Sequence, residues 1–143
     1  MIKSLKSVSA VLSFITISFL ISCNDDDDAS VDCEGTICTA ILVRLNITVV
    51  DENQNPVALD SFEVVNADNG QDITIELTPS ELEGAREFGI YPLIEDGILG
   101  LNQERDLEFT GFIDGEEVVR SNYTVATDCC HVSLASGEAQ LTL

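Results

Sequence analysis

Basic residues are scarce in this chain: six Lys and Arg stand against 26 Asp and Glu, for a formal net charge of −20 at pH 7. A field of that sign repels nucleic acid and anionic lipid head groups, so nucleic acid drops out as a partner class. Cationic partners, divalent metal ions among them, are favoured instead. Histidine occurs once, as His131. A lone imidazole with no evident nucleophile or orienting carboxylate pattern offers little to general acid–base chemistry. No other catalytic constellation is present, so an enzyme is the least supported class. Tryptophan is absent, and methionine occurs only at the start. A membrane-spanning helix needs about 20 apolar residues. The longest candidate run, Val8 to Ile21, is shorter and is broken by Ser and Thr.

What that run does fit is the apolar core of a secretory leader. Lys3 and Lys6 supply the positive start, and the small residue Ser22 precedes Cys23. The ending Leu20-Ile21-Ser22-Cys23 resembles that of bacterial lipoproteins, in which cleavage precedes the cysteine and the thiol is acylated. The alternatives are an ordinary cleaved leader and an uncleaved anchor. A lipoprotein reading divides the chain into a signal peptide at 1–22, a lipidated acidic tether at 23–32 and a domain at 33–143. Two or more acyl chains hold a protein stably at a membrane, so Cys23 would anchor the chain without a spanning segment. Asn24-Asp25-Asp26-Asp27-Asp28 resembles the acidic export signal of Bacteroidota-type surface lipoproteins. That resemblance implies the outer membrane, lipid-anchored and facing the medium.

Removing 22 of the 143 residues leaves 121, the size of one compact domain. Lys3 and Lys6 leave with the leader, so the net charge moves from −20 to −22. Like charges along the tether repel and stiffen it.

Beyond the tether the chain reads as short strands separated by turns. Ile41, Val43, Leu45, Ile47 and Val49 alternate with a mostly polar face, the period of a half-buried antiparallel strand. Asp51 to Pro56 breaks it, and Val57 to Val65 resumes. Asp68-Asn69-Gly70 marks a turn, and Ile73, Ile75 and Leu77 mark a further strand. Thr78-Pro79-Ser80-Glu81 has the form of a capping box opening one helical turn that Gly84 would stop. Phe88, Ile90 and Ile94 suggest an edge strand, since Pro92 cannot donate to a ladder. Leu107 to Ile113 and Val119 to Val125 flank Asp114-Gly115, a hairpin signal. Val132 and Leu134, then Ala139, Leu141 and Leu143, complete seven or eight strands. The fold class expected is all-β: a single antiparallel sandwich of about seven strands, with an open barrel as competitor.

Val49-Val50-Asp51-Glu52-Asn53-Gln54-Asn55-Pro56-Val57, followed by Phe62-Glu63-Val64-Val65, resembles the opening of carboxypeptidase regulatory-like, transthyretin-type sandwiches. Ala58 to Ser61 lacks the Gly-containing step usual there. Phe109 to Gly115 and Thr127 to Val132 are similar to the end of small Bacteroidota surface lipoproteins. The resemblance implies a non-catalytic accessory domain; the expectation for the chain is a surface-anchored sandwich that binds or supports a protein or glycan partner and takes no cofactor, with a metal-handling domain as the alternative.

Four cysteines remain after Cys23: Cys33, Cys38, Cys129 and Cys130. An even number in an exported domain reads as disulfides. Pairing the neighbours Cys129 and Cys130 would force a strained ring, so two crossed pairings remain open. If the pair lies in a strand, the two side chains point to opposite faces and meet different partners. The rival reading is a metal site at Cys129, Cys130 and His131, with Cys33 and Cys38, whose thiolates and imidazole suit zinc or copper. Asp51-x-Asn53-x-Asn55 imitates half of a calcium loop, but Pro56 and Phe62 stand where Gly and Glu are required. A hairpin turn is the better reading there. Weak calcium binding by Asp68, Asp72, Glu95, Asp96, Asp114, Glu116 and Glu117 stays open if their loops gather at one pole.

Overall fold

The computed structural model describes residues 33–143. The leader, Cys23 and the acidic tether lie outside the described residues. Eight strands and one helix follow in order: β1 Arg44–Val50, β2 Ser61–Asn66, β3 Gln71–Asp72, α1 Pro79–Phe88, β4 Ile90–Glu95, β5 Glu104–Ile113, β6 Glu116–Thr127, β7 Val132–Ser136 and β8 Gln140–Thr142. They form a three-stranded sheet ordered β4-β1-β8 and a five-stranded sheet ordered β3-β2-β5-β6-β7. The two sheets pack face to face as an all-β sandwich.

The inward positions of the alternating strands build the core. Ile47 and Val49 from β1 meet Leu107 and Phe109 from β5 and Tyr123 and Val125 from β6, all buried. Phe62 lies between two rings, 5.7 Å from Tyr91 and 5.9 Å from Phe109 between centroids. Tyr91 is fully buried, and burial pushes its phenol pKa up. Its hydroxyl accepts from Leu59 N at 2.7 Å and donates to Val57 O at 2.8 Å. It thereby satisfies the backbone of the segment that crosses from one sheet to the other. Asp114 and Gly115 both have positive φ, at 53° and 77°, the conformation a two-residue hairpin needs to match strand twist.

Several boundaries depart from the expectation. β1 starts at Arg44 rather than Ile41, because the preceding residues are bound across the end of the sandwich and do not join a ladder. The expected strand through Ile73, Ile75 and Leu77 shrinks to Gln71–Asp72. There the Thr74 hydroxyl accepts the Val64 N–H at 2.8 Å, so the next pair keeps only the bond from Ile73 N to Val64 O, at 2.9 Å. The capping box forms as expected, with Thr78 Oγ1 accepting from Glu81 N and Glu81 accepting from Thr78 N. The helix nevertheless runs through Gly84 to Phe88. A mid-helix Gly costs only about 1 kcal/mol. Burial of Ala85 and the Arg86 bonds to Leu59 O and Asp60 O, both 2.9 Å, hold the last turn. Gly89 ends it in the left-handed region at φ 65°, packed so closely that a Cβ would lie 2.5 Å from Val49 O.

Topology also adds one parallel pair to an antiparallel framework. β8 lies beside β1 in the same direction, with Val49 opposite Leu141. β7 ends in the other sheet, and the chain crosses at Gly137, where a Cβ would meet the Tyr123 ring at 2.4 Å. The Tyr123 hydroxyl donates to Glu138 O at 2.9 Å and steadies that crossing. β4 is an edge strand, as Pro92 implied. The loop after β1 pairs back on it through one Val50–Pro56 bridge before leaving for the second sheet, so it is a tight turn within a crossover and not a hairpin.

Candidate functional site

At one end of the sandwich, the strap of residues 33–43 meets the β4–β5 loop and the β6–β7 turn. Asp128 shapes that turn. Its Oδ1 accepts from Cys130 N at 2.6 Å and His131 N at 2.8 Å, while its own N–H donates to His131 O at 3.1 Å. These amides, His131 first and then Cys130, hold the Asp128 carboxyl below the usual carboxylate range. The turn sends the two cysteines to different partners. Cys33 bonds Cys129 and Cys38 bonds Cys130, each with a Cα–Cα distance of 5.3 Å. One of the two crossed pairings is therefore realised, through an Asp-shaped turn and not through strand alternation. Asn102, from the β4–β5 loop, donates from Nδ2 to Cys33 Sγ at 3.0 Å and from its backbone to Asp128 O at 3.4 Å.

Asp96 joins the two sheets. It follows β4, and its Oδ2 accepts from Val43 N at 2.8 Å and from His131 Nδ1 at 2.8 Å. Its Oδ1 accepts from Val132 N at 2.7 Å. The Val43 amide first, then the imidazole, keeps this carboxyl below its ordinary range. A carboxylate only accepts, so Nδ1 of His131 carries a proton. In the neutral ring Nε2 then accepts from the Thr39 hydroxyl, 2.9 Å away. The orienting carboxylate that the sequence did not reveal is thus present, 35 residues before His131.

Thr39, His131 and Asp96 share the connectivity of a hydroxyl–imidazole–carboxylate relay. Catalysis by such a relay also needs donors aimed at a developing oxyanion. The amides of Cys130, His131, Val43 and Val132 already serve Asp128 and Asp96. The array ties the strap to the sandwich.

The metal set proposed from sequence, Cys129, Cys130 and His131, loses both thiolates when the bridges form. Among the described residues no group of three or more His, Cys, Asp or Glu is placed to hold a metal ion. The acidic residues considered for calcium do not gather at one pole. Glu95 and Asp96 sit at the clamped end, Asp114, Glu116 and Glu117 at the opposite hairpin, and Asp68 and Asp72 by the outer edge of the five-stranded sheet. Several are already engaged: Arg44 pairs with Glu95 at 2.6 Å, and Arg120 joins Glu117 to Glu108. Asp51 accepts from Asn53 N and Asn55 N, both 2.8 Å, and from Asn55 Nδ2 at 2.9 Å, so its loop closes on itself.

A separate groove of about 290 Å³ lies between α1 and the edge strand β4, bordered by Leu77, Ala85, Phe88, Ile90 and Pro92. Set against family models, curated proteins and solved structures, the chain finds no match in any of the three.

Proposed function

We propose that this chain is a lipoprotein held at the outer membrane through an acylated Cys23, whose sandwich serves as a non-catalytic binding or structural accessory module facing the medium. The observation that carries the reading is the pair of crossing disulfides. Bridges of this kind persist in oxidising compartments, which is the setting that a leader ending in Leu20-Ile21-Ser22-Cys23 supplies. The resemblance to regulatory-like sandwiches supports an accessory role. The groove between α1 and β4 offers a partner protein or glycan an apolar floor with Arg44 and Glu81 at its border.

Intact mass of the protein extracted from membranes tests the address. The expected species begins at Cys23 and carries acyl chains; a soluble, unmodified chain overturns it. Thiol titration of the same sample tests the exported setting. No reactive thiol is expected before reductant, whereas four thiols with bound zinc by elemental analysis would replace this reading with metal handling.

A further inference from the structure

Of the nine large apolar side chains that the described residues leave in water, five gather at one end of the sandwich, while Phe88, Ile90, Leu134 and Leu143 belong to other elements. Ile37 is 95% exposed, Ile41 69%, Leu42 62%, Leu101 58% and Ile98 37%. All five belong to the strap or the β4–β5 loop, and both segments are bound to the 128–131 turn. A cluster of this kind at one end of an otherwise acidic domain marks an interaction surface. We propose that this end docks into the lipid surface to which Cys23 is tied, with Ile37, Ile41 and Leu42 entering the interface.

The position of the chain entry argues for lipid as the occupant. Cys33 is itself part of the clamped end and lies ten positions after Cys23. That length of extended chain reaches at most about 35 Å. The apolar end is therefore the end held nearest the bilayer, an inference that rests on the acylation proposed above.

Side-chain chemistry points the same way. Protein hot spots are rich in Trp, Tyr and Arg, whereas these five side chains are all Ile or Leu. Several carboxylates of this end are engaged by the protein, since Asp96 and Asp128 accept protein amides and Glu95 pairs with Arg44, while Asp128 and Glu104 stay exposed. Glu34 is exposed, and Asp25 to Asp28 belong to the tether. These acids favour zwitterionic over anionic head groups. The two bridges and the Thr39–His131 contact hold the strap in place, so its apolar side chains need little further ordering on insertion.

The absence of native tryptophan gives a direct test. Full-length acylated protein carrying Ile37→Trp is reconstituted in phosphatidylcholine vesicles, beside Asn53→Trp as a control at the opposite end. Docking predicts that the indole at position 37 emits to the blue, is quenched by brominated acyl chains and is shielded from aqueous iodide. The indole at position 53 should behave as free in water. Because each variant carries a single indole, the residue's intrinsic preference for interfaces drops out of the comparison. Replacing both Ile41 and Leu42 by Asn should move the docked–undocked balance by about tenfold or more toward water. If the acylated Ile37→Trp variant emits and is quenched like the Asn53→Trp control, docking is overturned while the anchor stands. Protein with no acyl chain by mass overturns the anchor instead. Shielding of the position-37 indole in native membranes but not in pure vesicles overturns lipid in favour of a protein partner.

Discussion

The two disulfides should not contribute additively, and their crossed arrangement allows the coupling to be worked out. Cys33–Cys129 and Cys38–Cys130 span separations of 96 and 92 residues. Alone, either would remove about 4.7 kcal/mol of loop entropy from the unfolded chain. Once one is closed, however, the other completes only a small ring, made of residues 33–38 and 129–130. A ring of about eight residues is worth about 2.5 kcal/mol on the same scale. Removing either bridge by paired Cys→Ala substitution should therefore cost about 2.5 kcal/mol, because the survivor still closes the long loop. Removing both should cost about 7 kcal/mol, comparable with the whole stability of an ordinary domain. Equilibrium urea unfolding of the soluble chain from Asn24 reads these differences. At a slope of about 1.6 kcal/mol per M, each single deletion lowers the midpoint by roughly 1.5 M. A single deletion that costs about 4–5 kcal/mol, or two whose costs simply add to the double, would refute the shared-loop account.

Two further perturbations probe the frame behind that end. Tyr91→Phe removes the hydroxyl that satisfies Leu59 N and Val57 O, leaving both without it in a buried site. Loss of about 2–4 kcal/mol by urea unfolding is expected, and a change below about 0.5 kcal/mol would mean that water or backbone shifts replace the hydroxyl. Asp96 and Asp128 both have carboxyls held below their unfolded value of 3.8. Their stabilisation is accordingly complete above that value and lost as pH falls through the lowered native values. Asp96→Asn should lower the urea midpoint at about pH 7, and its deficit should narrow below about pH 3 as the wild-type carboxyl protonates. A deficit that holds constant from about pH 7 to about pH 2 would refute the assignment.

The sandwich was legible in the chain wherever burial on one side imposed a period of two. Ile47 and Val49, Leu107 and Phe109, and Tyr123 and Val125 all alternate as the core requires. Asp114-Gly115 was legible because few other pairs accept positive φ at both positions. What alternation does not encode is the partner of a strand or its direction. The pattern of Ala139, Leu141 and Leu143 is the same for a parallel as for an antiparallel neighbour, and β8 is parallel to β1. Gly84 was misleading because propensity is a weak prior that Ala85 and Arg86 outweigh. At the clamped end, chemistry narrowed the cysteine pairings to two but could not choose. Asp96 and Thr39 were invisible as partners of His131, since sequence separations of 35 and 92 are closed only when the sheets pack.

The placement of the disulfides follows from what the core cannot do. Between Cys33 and Leu42 the strap puts no large side chain into the interior; Val43 is the first to pack against it. Hydrophobic burial therefore gives this segment no shape. Fixing each residue costs about 1–2 kcal/mol of backbone entropy, while an exposed hydrogen bond such as Thr39 to His131 returns about 1 kcal/mol at best. Left to those contacts, the strap would fray and its isoleucines would fold back on whatever apolar surface lay nearest. Covalent closure changes the balance by restricting the alternatives rather than by adding attraction. The strap is thus the one part of the domain whose order depends on oxidation, and the apolar side chains it exposes are held outward by the same two bonds.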